Sequence, residues 1–212
     1  MSLKLEAISS RMYNWHLIGV GLTVLICGCS GGPATVKPPK IDVSSAAAQA
    51  IELYDTNHDG KLSQEELAKC PAIMVSLDGY DANHDKFVDQ QEIQDHLAYL
   101  LRNGTGATQL ACNVTYQGSP LSGAKVVFEP EPYLGNDIQT AEGTTNNSGA
   151  AELGMPPEKA PAALKNMKLI QYGTYKVRIT HPTIKLPAKY NTETTLGYET
   201  IPGQPTVSFN LK

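Results

Sequence analysis

The chain has 212 residues, 41% of them hydrophobic and 18% charged, with a formal net charge of −4. That length suits one or two ordinary globular domains, and the mild, unclustered charge excludes a basic nucleic-acid-binding face. Ten tyrosines against three phenylalanines and one tryptophan suit a β-rich surface better than a large enzyme core.

Residues 1–28 read as an export signal rather than as part of the fold. Lys4 and Arg11 lie in a polar leading region, and the apolar run from Leu17 to Ile26 is too short to span a bilayer as a mature helix. The run ends in Ile26-Cys27-Gly28-Cys29-Ser30, which resembles the lipobox of bacterial lipoproteins. The resemblance implies lipidation at Cys29, and Gly28 before it favours this cysteine over Cys27, which follows Ile26. A plain secretory signal, or a cysteine pair that binds something, are the alternatives. The expected location is outside the cytoplasm, held by acyl chains at the cell envelope, on the outer membrane where there is one. Residues 29–43, with Gly31, Gly32, Pro33, Pro38 and Pro39, read as a flexible tether.

Residues 44–102 read as helices around two acidic loops. Ser44 or Ser45 can cap a helix over residues 46–54. Asp55 then opens a twelve-residue loop with oxygen donors at Asp55, Asn57, Asp59 and Ser63, Gly60 at the sixth position and Glu66 at the twelfth. A hard cation such as Ca²⁺ takes six to eight oxygens, and the glycine turns the chain beneath it. Lys61 would add its backbone carbonyl, and Ser63 with Glu66 forms a capping box that starts the next helix at the last ligand. The second loop begins 26 residues later and offers Asp81, Asn83, Asp85, the Phe87 carbonyl, Asp89 and Glu92. Both loops resemble the EF-hand, which implies a pair bound to two calcium ions and a short strand contact between Leu62 and Val88. The second departs at Lys86, where the family has glycine, so a strained but occupied site is expected. Asp/Asn/Gly clusters also make ordinary turns, but two complete donor sets favour calcium. Further helices are expected over residues 64–69, ended near Pro71, then over 72–80 and 90–101. The short spacing and lack of a methionine-rich face favour structural or buffering calcium over a sensor.

After a linker at residues 103–107, the hydrophobic pattern changes to period two. Strands are expected at residues 110–116, 124–128, 143–151 (two strands around an Asn146–Gly149 turn), 175–179, 194–201 and 207–211. Seven or so strands suggest an all-β sandwich over residues 108–212, so the whole chain is expected to be α+β and multidomain. The run from Val114 to Phe128, with Thr144–Gly149, Gly173-Thr174-Tyr175-Lys176-Val177 and Pro187-Ala188-Lys189-Tyr190, resembles the carboxypeptidase-regulatory or transthyretin-like family. That resemblance implies an accessory seven-stranded sandwich without catalytic residues of its own. Residues 156–167 are an insertion with one expected helical turn and no assigned role.

No catalytic motif emerges. His58 and His84 point outward at the fourth loop position, and His96 and His181 read as surface histidines without metal-ligand spacing. Cys70 and Cys112 read as separate buried thiols, although an exported chain could bridge them. The expected function is a non-enzymatic, calcium-binding envelope lipoprotein with a structural or ligand-binding role, an envelope protein or glycan being the candidate partner. A calcium-dependent docking or sensor module, and an accessory subunit of an extracytoplasmic enzyme, are the alternatives.

Overall fold

The computed structural model describes residues 36–102 and 106–212. Cys29, the export signal and most of the tether lie outside the described residues.

The first helix, α1 (Val43–Tyr54), starts at Asp42 rather than at the serines. The Asp42 carboxylate accepts the N–H groups of both Ser44 and Ser45, at 3.1 and 3.2 Å. One acid thus satisfies two of the donors a helix start leaves open. Strand β1 (Lys61–Leu62) leads to α2 (Gln64–Leu67). The helix expected over residues 72–80 is two, α3 (Pro71–Val75) and α4 (Leu77–Tyr80). They part at Ser76, whose φ of −110° and ψ of 20° leave the helical region while its N–H closes a tight turn onto Ile73. Pro71 begins α3 instead of only ending α2, because the first helical position needs no N–H donor. Strand β2 (Val88–Asp89) and α5 (Gln90–Leu101) complete the helical part.

The strands that follow are β3 (Ala107–Thr108), β4 (Leu110–Tyr116), β5 (Ser119–Pro120), β6 (Lys125–Pro130), β7 (Ala141–Thr144), β8 (Ala150–Leu153), β9 (Ile170–Gln171), β10 (Thr174–Thr180), β11 (Gly197–Glu199) and β12 (Thr206–Leu211). One sheet runs β11-β10-β6-β7, all antiparallel. In the other, β4 holds β12 in parallel along one edge and β8 and β5 along the other. β3 and β9 form a separate two-stranded pair. The chain is therefore mixed α+β, and mostly β.

The Asn146–Gly149 turn forms as expected, with the Asn146 side chain accepting the N–H groups of Ser148 and Ala150. Its two strands do not stay together, however. β7 joins β6 and β8 joins β4, and a backbone exchange between Glu142 and Gly154 links the two sheets. The strand expected over residues 194–201 shrinks to β11, since the Thr194 hydroxyl bonds the Val177 carbonyl and accepts from Leu196 N–H.

Period-two alternation places Cys112 and Val114 of β4, Val126 and Phe128 of β6, and Tyr175, Val177 and Ile179 of β10 in the interior. Phe128 meets Phe209 of β12 edge to face, with ring centroids 6.0 Å apart, so both sheets contribute to the same core. That core continues into the helices through Ala50, Tyr54, Leu62, Ile73 and Leu97. α3 lies so close to β11 that a Cβ at Gly197 would collide with the Pro71 carbonyl. The 156–167 insertion makes two single turns, Pro157–Lys159 and Ala162–Leu164. Its Ala160 packs with Met155 and Leu169 against Val36, while Gly106 N–H bonds the Val36 carbonyl at 2.8 Å. Cys70 and Cys112 are free, buried thiols. No helix among the described residues is long and apolar enough to cross a membrane.

Candidate metal centre

α1 delivers Asp55 to the start of the first loop, where it is 7% exposed. Its Oδ1 accepts the N–H groups of His58 (2.6 Å) and Asp59 (3.3 Å), and its Oδ2 that of Gly60 (2.9 Å). Asn57 Oδ1 accepts Asp59 N–H, and Asp59 Oδ1 accepts Lys61 N–H. These side-chain bonds reverse the chain, with His58 at φ 61° and Gly60 at φ 83°. Glu66, buried at the third residue of α2, reaches back across the loop. Its Oε1 accepts from Thr56 N–H and hydroxyl and from Asn57 N–H, and its Oε2 from Ser63 N–H and hydroxyl. The Ser63 donors foremost, and then those of Thr56, overcome burial and hold the Glu66 carboxyl down to about 2.

The second loop repeats this pattern. Asp81 accepts the N–H groups of Asp85 and Lys86, Asn83 that of Asp85, and Asp85 that of Phe87. Glu92 accepts from Ala82, Asn83 and Asp89, but Ala82 has no hydroxyl to match that of Thr56. His84 takes φ 60° and Lys86 φ 70°. A Cβ at Gly60 would meet nothing within 4 Å. At the corresponding Lys86 the side chain has the same kind of turn to fit, and its cost is the left-handed backbone, roughly 1–2 kcal/mol.

β1 and β2 join the loops, pairing Lys61 with Asp89 and Leu62 with Val88. Leu62 and Val88 are fully buried, so the loops share one apolar floor. Lys61 Nζ lies 2.9 Å from Asp85 Oδ2 and over the Phe87 ring, holding the Asp85 carboxyl below its usual range.

Comparison with protein-family models, curated proteins and solved structures finds no match.

Among the described residues, no three His, Cys, Asp or Glu side chains gather as a metal-holding group. The donor chemistry nevertheless fits a hard cation. Each loop supplies carboxylates, an asparagine oxygen, a ninth-position oxygen (Ser63 or Asp89) and a seventh-position carbonyl (Lys61 or Phe87), with no nitrogen or sulfur ligand required. In both loops backbone N–H groups bond the acid and asparagine oxygens and fix where those side chains stand.

Two of the histidines differ from the surface expectation: His181 is half-buried with Nε2 2.8 Å from the Ser122 carbonyl and Nδ1 accepting Ile184 N–H, and His96 departs further. His58 and His84 are exposed. His96 is not a surface residue, because α5 packs its side chain onto Tyr80, with ring centroids 3.9 Å apart. Its Nδ1 is 2.9 Å from the Gly79 carbonyl, which can only accept, so Nδ1 carries a proton. Its Nε2 lies 2.9 Å from Glu199 of β11. Burial lowers the His96 pKa, but Glu199 and the Gly79 carbonyl outweigh it and the net shift is upward. A second polar contact ties the helices to the sheets. Lys176 of β10 donates to the Tyr54 hydroxyl at 3.1 Å, and Tyr54 donates to the fully buried Glu131 at 2.8 Å. Burial raises the Glu131 pKa against the opposing pull of Lys176 and Tyr54. Sequence patterns mark none of these partners, since Glu131 and Glu199 lie at strand ends where glutamate is ordinarily solvated.

Proposed function

We propose that the chain is an exported, lipid-anchored envelope protein with a two-site calcium domain and a non-catalytic structural or ligand-binding role. The observation that carries the calcium reading is the matched pair of loops. Both take positive φ at the fourth and sixth positions, and β1 and β2 link them through Leu62 and Val88. Asp55, Asn57, Asp59, Ser63 and Glu66 would hold one ion and Asp81, Asn83, Asp85, Asp89 and Glu92 the other, with the Lys61 and Phe87 carbonyls. Bound calcium would supply charge neutralisation to clustered acids and so stabilise the fold.

A structural role is supported by what flanks the loops. Swinging α1 or α5 outward, as a sensor must, would break the Tyr54–Glu131 and His96–Glu199 contacts, both buried or nearly so. The transthyretin-like sandwich reading is supported by the Phe128–Phe209 contact between two sheets and by the parallel pairing of first and last long strands. On that reading the sandwich carries the envelope partner, a protein or glycan. Membrane attachment rests on the sequence around Cys29 and is tested by mass spectrometry of the mature amino terminus. An acylated cysteine is the expected result, and an unmodified end contradicts it.

The calcium reading is tested by thermal melting of the metal-stripped chain. A hundredfold excess over Kd adds about 2.7 kcal/mol per site. At about 2–4 °C per kcal/mol for a chain of this size, Tm should rise by roughly 5–10 °C for each filled site. An unchanged Tm at millimolar Ca²⁺ overturns it.

A further inference from the structure

An edge strand presents unpaired N–H and C=O groups that can template pairing with another chain, and most edges here are guarded. α3 covers β11. β5 is two residues long and ends in Pro120. β7 carries Glu142, paired with Lys125, and exchanges bonds with Gly154. β12 has no such guard. Its sequence, Thr-Val-Ser-Phe-Asn-Leu, holds neither charge nor proline.

One side of β12 is bonded in parallel to β4. The carbonyls of Pro205 and Leu211 accept from Ala111 and Gln117 on that side. A parallel ladder uses alternate residues, so the backbone groups of Thr206, Ser208 and Asn210 face the opposite edge. Lys212 N–H on that edge is capped by the Tyr190 hydroxyl at 2.8 Å, which closes its far end. Among the described residues no backbone group bonds those of Thr206, Ser208 and Asn210 on this edge, and all three residues are exposed, Asn210 accepting from the Thr115 hydroxyl.

We infer that this edge pairs with the same strand of a second copy, antiparallel and centred on Ser208. The two-fold places Ser208 opposite its own equivalent and Thr206 opposite Asn210, and each such pair exchanges two backbone bonds. Copies of a chain with net charge −4 repel one another. The uncharged β12 lets them meet without setting like charges face to face, which an edge such as β7 does not.

The test uses the full chain with Cys27 and Cys29 changed to serine, followed by sedimentation across the micromolar to millimolar range. A reversible dimer is expected, lost in Ser208→Lys. Opposed Ser208 positions would have Cα atoms about 5.5 Å apart, within disulfide reach. Ser208→Cys should therefore oxidise to a covalent dimer, whereas Thr206→Cys, facing Asn210, should not. Hydrogen exchange at the 206, 208 and 210 amides should be fast in dilute solution and slow at high concentration. A monomer throughout, a dimer in which Ser208→Cys does not cross-link, or amides already protected at dilution each overturn the inference. Cross-linking and exchange decide the matter even if Ser208→Lys does not fold.

Discussion

Tyr54 donates a hydrogen bond of 2.8 Å to Glu131, 77 residues further along the chain. Tyr54 is the last residue of α1 and immediately precedes the first loop acid, so this bond, with that from Lys176, ties the start of the first loop to the sheets. Glu131 Oε1 is buried without a hydrogen-bond partner among the described residues, which leaves Oε2 as the oxygen through which the carboxyl is satisfied. Tyr54→Phe should therefore cost about 1.5–3 kcal/mol, the range for a hydrogen bond to a charged group. Urea unfolding of the metal-free chain checks this. Because helices and sheets share one core, circular dichroism and tyrosine fluorescence should give coincident transitions.

The His96–Glu199 contact makes stability depend on pH. Tyr80, Tyr99 and Glu199 face the imidazole, and the Glu199 carboxyl lies 2.9 Å from Nε2. A histidine whose folded pKa lies above its unfolded value of 6.5 binds its proton more tightly when folded. Its contribution is present in full below the unfolded pKa and fades as pH rises through the folded one. The urea midpoint should fall as pH rises above about 6.5, with the slope reduced in His96→Gln. An unchanged slope in that variant counts against the assignment.

Lys86 stands at φ 70° where the first loop has Gly60. Lys86→Gly removes roughly 1–2 kcal/mol of backbone strain and gives back about 0.5–1 kcal/mol in unfolded-state entropy. A net gain of about 0.5–1 kcal/mol is expected, together with tighter calcium binding at the second loop. Equilibrium unfolding and calcium titration of the variant measure the two effects separately.

Leu62 is fully buried between the loops, opposite Val88. Leu62→Ala should destabilise by about 2–5 kcal/mol through the cavity it leaves, and should weaken calcium binding at both loops rather than at one. Loss at the first loop alone contradicts a shared floor.

The turns of the two acidic loops were legible in the sequence because the residues that shape them are contiguous, with local hydrogen bonds to Asp55, Asn57 and Asp59 setting the reversal. The strands on β4, β6 and β10 were legible through period-two burial. What joins the parts was not. Nothing near Glu131 or Glu199 marks it for burial, since each partner lies on a distant element, and His96 looks like any exposed helical residue until α5 is packed. The divergence of β7 and β8 was equally hidden. The Asn146 turn fixes a reversal of the chain, but whether its strands then pair with each other depends on what β4 and β6 offer.

The most direct measurement is calorimetric titration of the metal-stripped full chain with Ca²⁺, in parallel with Glu66→Gln and Glu92→Gln. Two binding events are expected in the parent chain, with the first-loop event lost in one variant and the second-loop event in the other. No binding heat in the parent chain at any temperature, or a signal that both variants leave intact, contradicts calcium at these loops.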